Sequence, residues 1–329
     1  MINIFFDALE THLYFCFLTP TMNIAKWIAS RPKKVREEGI QQTLNSSSNE
    51  IARFLLRKFD YFDPRGNIVY NDKWDVLILL DACRPDLLNS VSGGFDFLPY
   101  HIPVTRSVAS SSITWLDRTF DKKYQDEMER TAYVTANPYS RNLDPRDFQM
   151  LDEVWKYGWD DEIGTVPPRN VTDRGIQTMR EQNPDRLILH YMQPHFPSIP
   201  DQLADGIDID SFGEERASVW SRLESDEISY EMVWNSYKSN LSYVLDDINL
   251  LLENMNANSV VLSADHGNAF GKLGIFGHPP NIPIDDLREV PWVTTTATDS
   301  GQYSPILEKH EETVEDKEIQ SRLKDLGYV

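Results

Sequence analysis

Acidic and imidazole side chains follow directly after several short apolar segments of the chain. Asp81 ends the first of these segments, and Asp265 and His266 follow the fourth. Aspartate and histidine are common ligands of divalent metal ions, so the three side chains form a candidate metal site. Gly267 comes next and would let another part of the backbone approach closely. Taken singly, Asp81 can also be explained as a helix cap, and His266 as a hydrogen-bonded structural histidine.

Two more histidines lie in loops after apolar segments. His195 stands in the sequence Pro194-His195-Phe196-Pro197, where the prolines stiffen the backbone. His278 follows Gly277, and its nearness to the Asp-His pair in sequence makes it a candidate although a lone loop histidine is usually structural. His190 ends an apolar run, where a side chain often points into the core, so it is a weaker candidate than His195.

A serine-rich stretch offers a nucleophile. Ser110, Ser111 and Ser112 immediately precede a predicted helix over residues 113–120. Such serines often cap a helix, but the same position faces the unpaired N–H groups and positive dipole of the helix start, which favour an anionic ester. We favour Ser112, because the helical pattern begins just after it, with Ser111 and Ser110 as the alternatives.

Short apolar runs alternate with helical patterns from residue 74 onward. The predicted strands are 76–80, 132–135, 187–189, 260–262 and 290–294. The predicted helices are 113–120, 147–157, 171–182 and about 228–255. This alternation is typical of a doubly wound α/β sandwich whose ligands bind at the carboxyl ends of the strands. The end of the second strand, Thr135-Ala136-Asn137-Pro138, carries no obvious chemistry.

The ordered set of motifs resembles the alkaline phosphatase superfamily, in its sulfatase-like branch of sulfatases, phosphonate monoester hydrolases, and phosphoethanolamine and lipoteichoic acid transferases. The resemblance covers about residues 74–296. It implies an α/β/α sandwich with a mostly parallel central sheet. It also implies that Asp81, Asp265 and His266 bind a metal ion and that His195 and His278 lie near the transferred group. A serine, threonine or modified cysteine at a helix start is the nucleophile in this family.

The chain departs from the family pattern in two places. Sulfatases modify a Cys or Ser within a C-x-P-x-R motif, but Cys83-Arg84-Pro85-Asp86-Leu87 ends in leucine and lies beside Asp81, too early for the nucleophile. The Asp-x-x-x-His pair that binds a second ion is missing near residue 190. His195 and His278 would therefore bind a second ion or hold substrate oxygens. Arg84 and Lys272 are candidate anion clamps, with salt bridges as the alternative explanation.

These features predict a metal-dependent hydrolase or transferase that acts on a phosphate ester, or less readily a sulfate ester, through a serine nucleophile. The expected cofactor is Zn or Mn, with Mg or Ca as alternatives. The expected substrate is a small-molecule, glycan or lipid-linked ester. The alternatives are a catalytically silent binding module of the same fold and a phospho-group transferase on a lipid-linked or glycan substrate.

Composition limits the remaining choices. The formal net charge is -20, and a chain this acidic repels nucleic acid at long range. The same charge is explained either by an ordinary soluble surface or by adaptation to a cytoplasm of high salt concentration. The chain has two cysteines and no run of about 18 apolar residues. We therefore expect a cytoplasmic protein, with peripheral membrane contact through the apolar N-terminus as an option. The expected domains are a helical extension over 1–70, a catalytic domain over 71–300 and a charged tail over 301–329; oligomeric state is not indicated.

Overall fold

A computed structural model describes residues 66–203 and 218–306, together with Leu56. The elements below belong to the unit Arg57–Val329. Nearly all of the predicted N-terminal extension over 1–70 and most of the tail over 301–329 lie outside the described residues. The division of the chain at residues 70 and 300 therefore stays a prediction, as does membrane contact through the N-terminus.

Strands and helices alternate along the described chain. The strands are β1 Val76–Leu80, β2 Val104–Arg106, β3 Thr131–Thr135, β4 Met150–Glu153, β5 Arg186–Tyr191, β6 Ala257–Ser263, β7 Ala269–Phe270, β8 Phe276–Gly277, β9 Glu289–Pro291 and β10 Val293–Ala297. The α-helices are α1 Pro85–Val91, α2 Ser112–Thr119, α3 Gln125–Met128, α4 Pro168–Glu181, α5 Val219–Glu224, α6 Tyr230–Leu252 and α7 Asp285–Arg288. Within the described ranges, none of the helices combines the length and the apolar character needed to cross a membrane.

Six strands form the central sheet in the order β10-β6-β1-β5-β3-β4. Every neighbouring pair among β6, β1, β5, β3 and β4 is parallel, and only the edge strand β10 runs antiparallel to its neighbour β6. The predicted strand over 290–294 is divided between β9, which pairs with β2, and β10. The mostly parallel central sheet is confirmed. The strand β1 is buried along its whole length, as expected for a parallel strand covered on both faces.

Helices cover both faces of this sheet. Successive residues of a strand point to opposite faces, so the contacts of Leu189 and His190 in β5 show which helix covers each face of the sheet. Leu189 packs against Gly175 of α4 so closely that an added Cβ would lie 2.9 Å from its methyl groups. On the other face, the His190 ring lies 6.0 Å from that of Trp115 in α2. The predicted α/β/α sandwich is therefore confirmed.

The helix predicted over 147–157 is wrong. Residues Met150–Glu153 form the edge strand β4, parallel to β3, between two 3-10 turns. The strand is short, so its few apolar residues fit a helical spacing as well as an extended one. The segment forms a strand because it pairs with β3 and because buried Asp152 contacts Arg174 at 2.7 Å. Long-range contacts of this kind cannot be read from a local window.

The contact between β5 and α4 is expected to contribute strongly to stability. Leu189 is 0% exposed, so its truncation in a Leu189→Ala variant leaves a cavity beneath α4. We expect the free energy of unfolding to fall by about 2–5 kcal/mol. The matched control is Val104→Ala, because Val104 is 51% exposed and its truncation should cost well under about 1 kcal/mol. Urea unfolding measures both, and equal effects would contradict the packing described.

Candidate active site

The polar residues that follow the strands meet at one edge of the sheet. β6, β1, β5 and β3 are neighbours and run parallel, so their carboxyl ends share that edge. Asp81 follows β1, Asp265 follows β6 shortly after its last residue, and His195 lies in the loop after β5. The topology therefore brings together side chains that are far apart in sequence, as the strand pattern predicts.

Asp81, Asp265 and His266 form a group suited to a metal ion. One ligand atom from each lies within 4.8 Å of the other two, and all three residues are buried. The His266 ring has its Nδ1 atom 2.9 Å from the carbonyl oxygen of Gly267. The Nδ1 atom must carry the proton to donate there, which leaves a lone pair on Nε2. That Nε2 atom lies 3.4 Å from Asp265 Oδ2 and 3.6 Å from Asp81 Oδ1.

The donor set fits a divalent cation on electrostatic grounds. Asp265 Oδ1 accepts hydrogen bonds from the backbone N–H groups of Ala82, at 3.1 Å, and His266, at 2.9 Å. Its Oδ2 atom is buried and accepts no hydrogen bond. Burial alone would raise the pKa of Asp265, but His266, His190 and Ser112 together hold it below its usual range. Burial also lowers the pKa of His266, so the imidazole stays neutral and able to bind a metal.

The turn that carries Asp265 and His266 requires glycine at its third position. A Cβ on Gly267 would lie 2.3 Å from the carbonyl oxygen of Asp286, closer than a side chain can approach. The Gly267 N–H also donates a 2.9 Å hydrogen bond to the carbonyl of Leu287. The turn is therefore pressed against the segment around α7, and this close approach is what the sequence pattern predicts for that glycine.

Ser112 is the serine that faces the metal group. It is the first residue of α2, and its Oγ lies 3.1 Å from His266 Nε2 and 3.3 Å from Asp81 Oδ2. The hydroxyls of the other two candidate serines contact other groups. Ser110 Oγ donates to the carbonyl of Pro279 at 2.9 Å, and Ser111 Oγ donates to Thr114 Oγ1 at 3.1 Å. Among the three, Ser112 has its hydroxyl beside the candidate ligands.

His195 and His278 form a pair beside the group of three candidate metal ligands. Their Nε2 atoms are 2.9 Å apart, and the His278 ring stacks on the His266 ring with centroids 4.6 Å apart. His195 Nδ1 contacts the carbonyl of Phe196, so this nitrogen donates and the His195 Nε2 atom accepts the proton of His278 Nε2. Burial lowers the pKa of His195 to about 4 and that of His278 well below its usual range. The pair is neutral near pH 7.

Two asparagines that sequence reasoning missed support the site. Asn137 follows β3, the strand end to which no chemistry was assigned, and its Nδ2 donates to Asp81 Oδ2 at 2.9 Å. Asn240 of α6 donates from Nδ2 to the carbonyls of Pro194 and His195, at 3.1 and 3.0 Å, and so holds the His195 loop. The position of Asn137 at the end of a parallel strand is a signal that was available, whereas nothing local marks Asn240.

Arg84 and Lys272 are engaged in salt bridges. Arg84 pairs with Asp86 at 2.6 Å and with Asp286 at 3.2 Å, and it also donates to the carbonyl of Asn268. Lys272 pairs with the same Asp286 at 2.6 Å. Their charges are matched by carboxylates, which supports the salt-bridge explanation over a role as anion clamps.

No protein-family model and no curated protein matches the sequence. Solved structures do match. The soluble domain of lipooligosaccharide phosphoethanolamine transferase A from Neisseria meningitidis is 15% identical, with 69% of this chain and 77% of that chain covered and a TM-score of 0.45. The integral membrane protein of the same name and organism is 15% identical, covering 90% of this chain and 63% of that chain, with a TM-score of 0.45.

A third match is the C-terminal periplasmic domain of EcEptC from Escherichia coli in complex with Zn. It is 13% identical, covers 68% of this chain and 72% of that chain, and has a TM-score of 0.42. Putative sulfatases from Bacteroides species also match. The structural neighbours are therefore phosphoethanolamine transferases and sulfatases, the kinds of protein named by the family resemblance.

The predicted cytoplasmic location is contradicted by these neighbours and is withdrawn. They include C-terminal periplasmic domains and an integral membrane protein. The prediction rests on the small number of cysteines and on the absence of a run of about 18 apolar residues. Neither observation identifies a compartment, because a chain that folds on a large buried sheet needs no disulfides wherever it resides.

The buried histidine pair predicts a pH-dependent stability in the metal-free chain. The pKa of His195 is about 4 in the folded chain, against 6.5 ordinarily, so the unfolded chain binds more protons between these values. Stability conferred by the neutral ring is present above pH 6.5 and is lost as the pH falls towards 4, by up to about 3 kcal/mol.

We expect a His195→Gln variant to lose part of this pH dependence. Urea unfolding in the presence of a chelator, from pH 7 to pH 4.5, measures the slope for both proteins. A variant slope equal to that of the wild type would contradict the burial of a neutral His195.

Proposed function

We propose that the chain is a metal-dependent hydrolase or transferase of phosphate esters with Ser112 as its nucleophile. The main support for this proposal is the position of Ser112 at the start of α2. Its Oγ lies 3.1 Å from His266 Nε2 and 3.3 Å from Asp81 Oδ2. A hydroxyl at a helix start and beside three candidate metal ligands is suited to attack an anionic ester.

The metal proposed here is Zn or Mn, held by Asp81, Asp265 and His266, because the donors are mixed carboxylate and imidazole. Such an ion would lower the pKa of the serine hydroxyl and draw negative charge from the phosphoryl oxygens. Mg and Ca, which prefer oxygen ligands, fit this donor set less well. Because the Asp-x-x-x-His pair that binds a second ion in the family is missing near residue 190, one ion is the simplest proposal.

The chain's own residues account for the other requirements of the reaction. Ser112 Oγ releases its proton to water and attacks phosphorus, and the bond between phosphorus and the leaving oxygen breaks with its electron pair on that oxygen. His278, a neutral imidazole whose Nε2–H points at His195, would turn this N–H towards a phosphoryl oxygen and give it a hydrogen bond, while water protonates the leaving oxygen. The N–H groups at the start of α2 favour the anionic ester. Water or an acceptor hydroxyl then loses its proton to solvent and attacks phosphorus, the bond between phosphorus and Ser112 Oγ breaks, and the serine oxygen takes up a proton from solvent.

Phosphate chemistry is better supported than sulfate chemistry. Cys83, the residue that begins the incomplete sulfatase motif, is fully buried in the turn after β1, and burial raises the pKa of its thiol well above the usual value. Ser112 holds the position of the nucleophile as an ordinary serine. The complete ligand set at the sheet edge also disfavours a catalytically silent module, because such a module has no need of two buried carboxylates beside a serine.

Removal of the Ser112 hydroxyl is expected to abolish turnover. With bis-p-nitrophenyl phosphate and p-nitrophenyl phosphate as substrates, Ser112→Ala should lower kcat/KM by at least about 10³-fold, because the covalent step is lost. Ser111→Ala is the matched control, since Ser111 makes no capping hydrogen bond and faces Thr114. Release of p-nitrophenol measures both, and activity that survives in Ser112→Ala would exclude this nucleophile.

Metal removal gives an independent test. Dialysis against a chelator should abolish the activity, and addition of Zn or Mn should restore it, because the buried carboxylates and His266 are proposed to hold the ion. The metal content of the purified chain, measured by mass spectrometry, should fall in an Asp265→Asn variant. Full activity without metal would contradict the proposal. A product that forms only when an alcohol acceptor is added would identify transfer, whereas free phosphate would identify hydrolysis.

A further inference from the structure

His190 is a fully buried residue that the proposed reaction does not use. It is the penultimate residue of β5 and is 0% exposed. Its Nε2 atom is buried and makes no hydrogen bond. A buried polar nitrogen without a hydrogen bond costs free energy, so its position calls for an explanation. It lies 3.7 Å from Asp265 Oδ2, which is itself buried and accepts no hydrogen bond.

The Tyr133 hydroxyl contacts one ring nitrogen of His190, and the carboxylate of Asp265 faces the other. The Tyr133 hydroxyl lies 2.9 Å from His190 Nδ1, and both side chains lie in the interior. Burial raises the pKa of Tyr133 well above its usual value, so the hydroxyl keeps its proton and can donate it to Nδ1. A neutral imidazole that accepts at Nδ1 carries its hydrogen on Nε2.

The resulting Nε2–H group faces the carboxylate of Asp265. At 3.7 Å this contact is electrostatic and too long for a hydrogen bond. The opposite tautomer would point a lone pair at the carboxylate, which is unfavourable in a buried site. His190 also stands outside the group of three residues whose ligand atoms lie within 4.8 Å of one another. Its geometry therefore differs from that of the proposed metal ligands.

We propose that Tyr133 and His190 are positioning residues that orient Asp265 for metal binding. The inference rests on the metal site of the proposed function. Asp265 Oδ1 is engaged by the N–H groups of Ala82 and His266, so Oδ2 is the oxygen left for a metal. The N–H of His190 attracts Oδ2 across 3.7 Å and so favours the orientation in which Oδ2 lies 3.4 Å from His266 Nε2. Groups that hold a metal-ligating carboxylate in this way commonly contribute about 10–100-fold in metal affinity.

The test is the affinity of the full chain for Zn, measured by competition with a chromogenic chelator and independent of activity. His190→Leu removes the N–H, and we expect Zn binding to weaken about 10–100-fold. His190→Gln places an amide N–H near the former Nε2 position and should bind Zn within about threefold of the wild type. His190→Asn, whose shorter amide reaches only towards the former Nδ1 position, should lose affinity as His190→Leu does.

Tyr133→Phe tests the tautomer. Loss of the hydroxyl should weaken Zn binding in the wild-type background and have no further effect in the His190→Gln background, because glutamine has no tautomers. Tyr191→Phe is the matched control, since Tyr191 is the next residue of β5 and its hydroxyl contacts Thr172 Oγ1 at 2.9 Å on the opposite face. It should leave Zn affinity unchanged.

Three results would overturn the inference. Unchanged Zn affinity in folded His190→Leu and His190→Asn would show that His190 does not position Asp265. A fall in bound Zn from two ions to one in all three His190 variants would make His190 a direct ligand instead. A wild-type chain that binds no Zn would overturn the metal site and the inference together. The first two results leave the proposed function intact, so the two failures are distinguishable.

Discussion

The structure depends on the burial of two carboxylates, Asp81 and Asp265, at one edge of a parallel sheet. Both are fully buried, and one oxygen of Asp265 accepts no hydrogen bond. Charge removed from water is costly unless it is paired or bound to a metal. The neutral imidazole of His266 cannot balance two anions, but a divalent cation held between the three groups can. This electrostatic requirement links the fold to the proposed chemistry.

The sheet order satisfies that requirement. Strands β6, β1, β5 and β3 are neighbours, so the residues that follow them converge although the chain separates them widely. Gly267 allows the turn after β6 to press against the segment near α7, and Asn240 holds the loop of His195 from the other side. Ser112 completes the site from the start of α2. Several elements of the core thus each fix a polar group at the same edge.

The sequence predicts this arrangement where a local pattern carries the information. Buried parallel strands appear as continuous apolar runs, and the helix over residues 113–120 follows its serine cluster, so strand ends and Ser112 could be located in advance. The sequence does not predict the secondary structure of a segment whose conformation depends on long-range contacts. The strand β4 lies where a helix was expected, because its pairing with β3 cannot be read locally. The end of β3 marks Asn137 as a candidate, but its role as a donor to Asp81 depends on packing between distant segments.

An anomalous diffraction map, recorded at the Zn absorption edge from crystals of the chain grown with Zn, would locate the ion directly. We expect a peak bounded by Asp81, Asp265 and His266, within reach of the Ser112 hydroxyl. A well-ordered site with these side chains in place and no peak between them, at saturating Zn, would contradict this expectation.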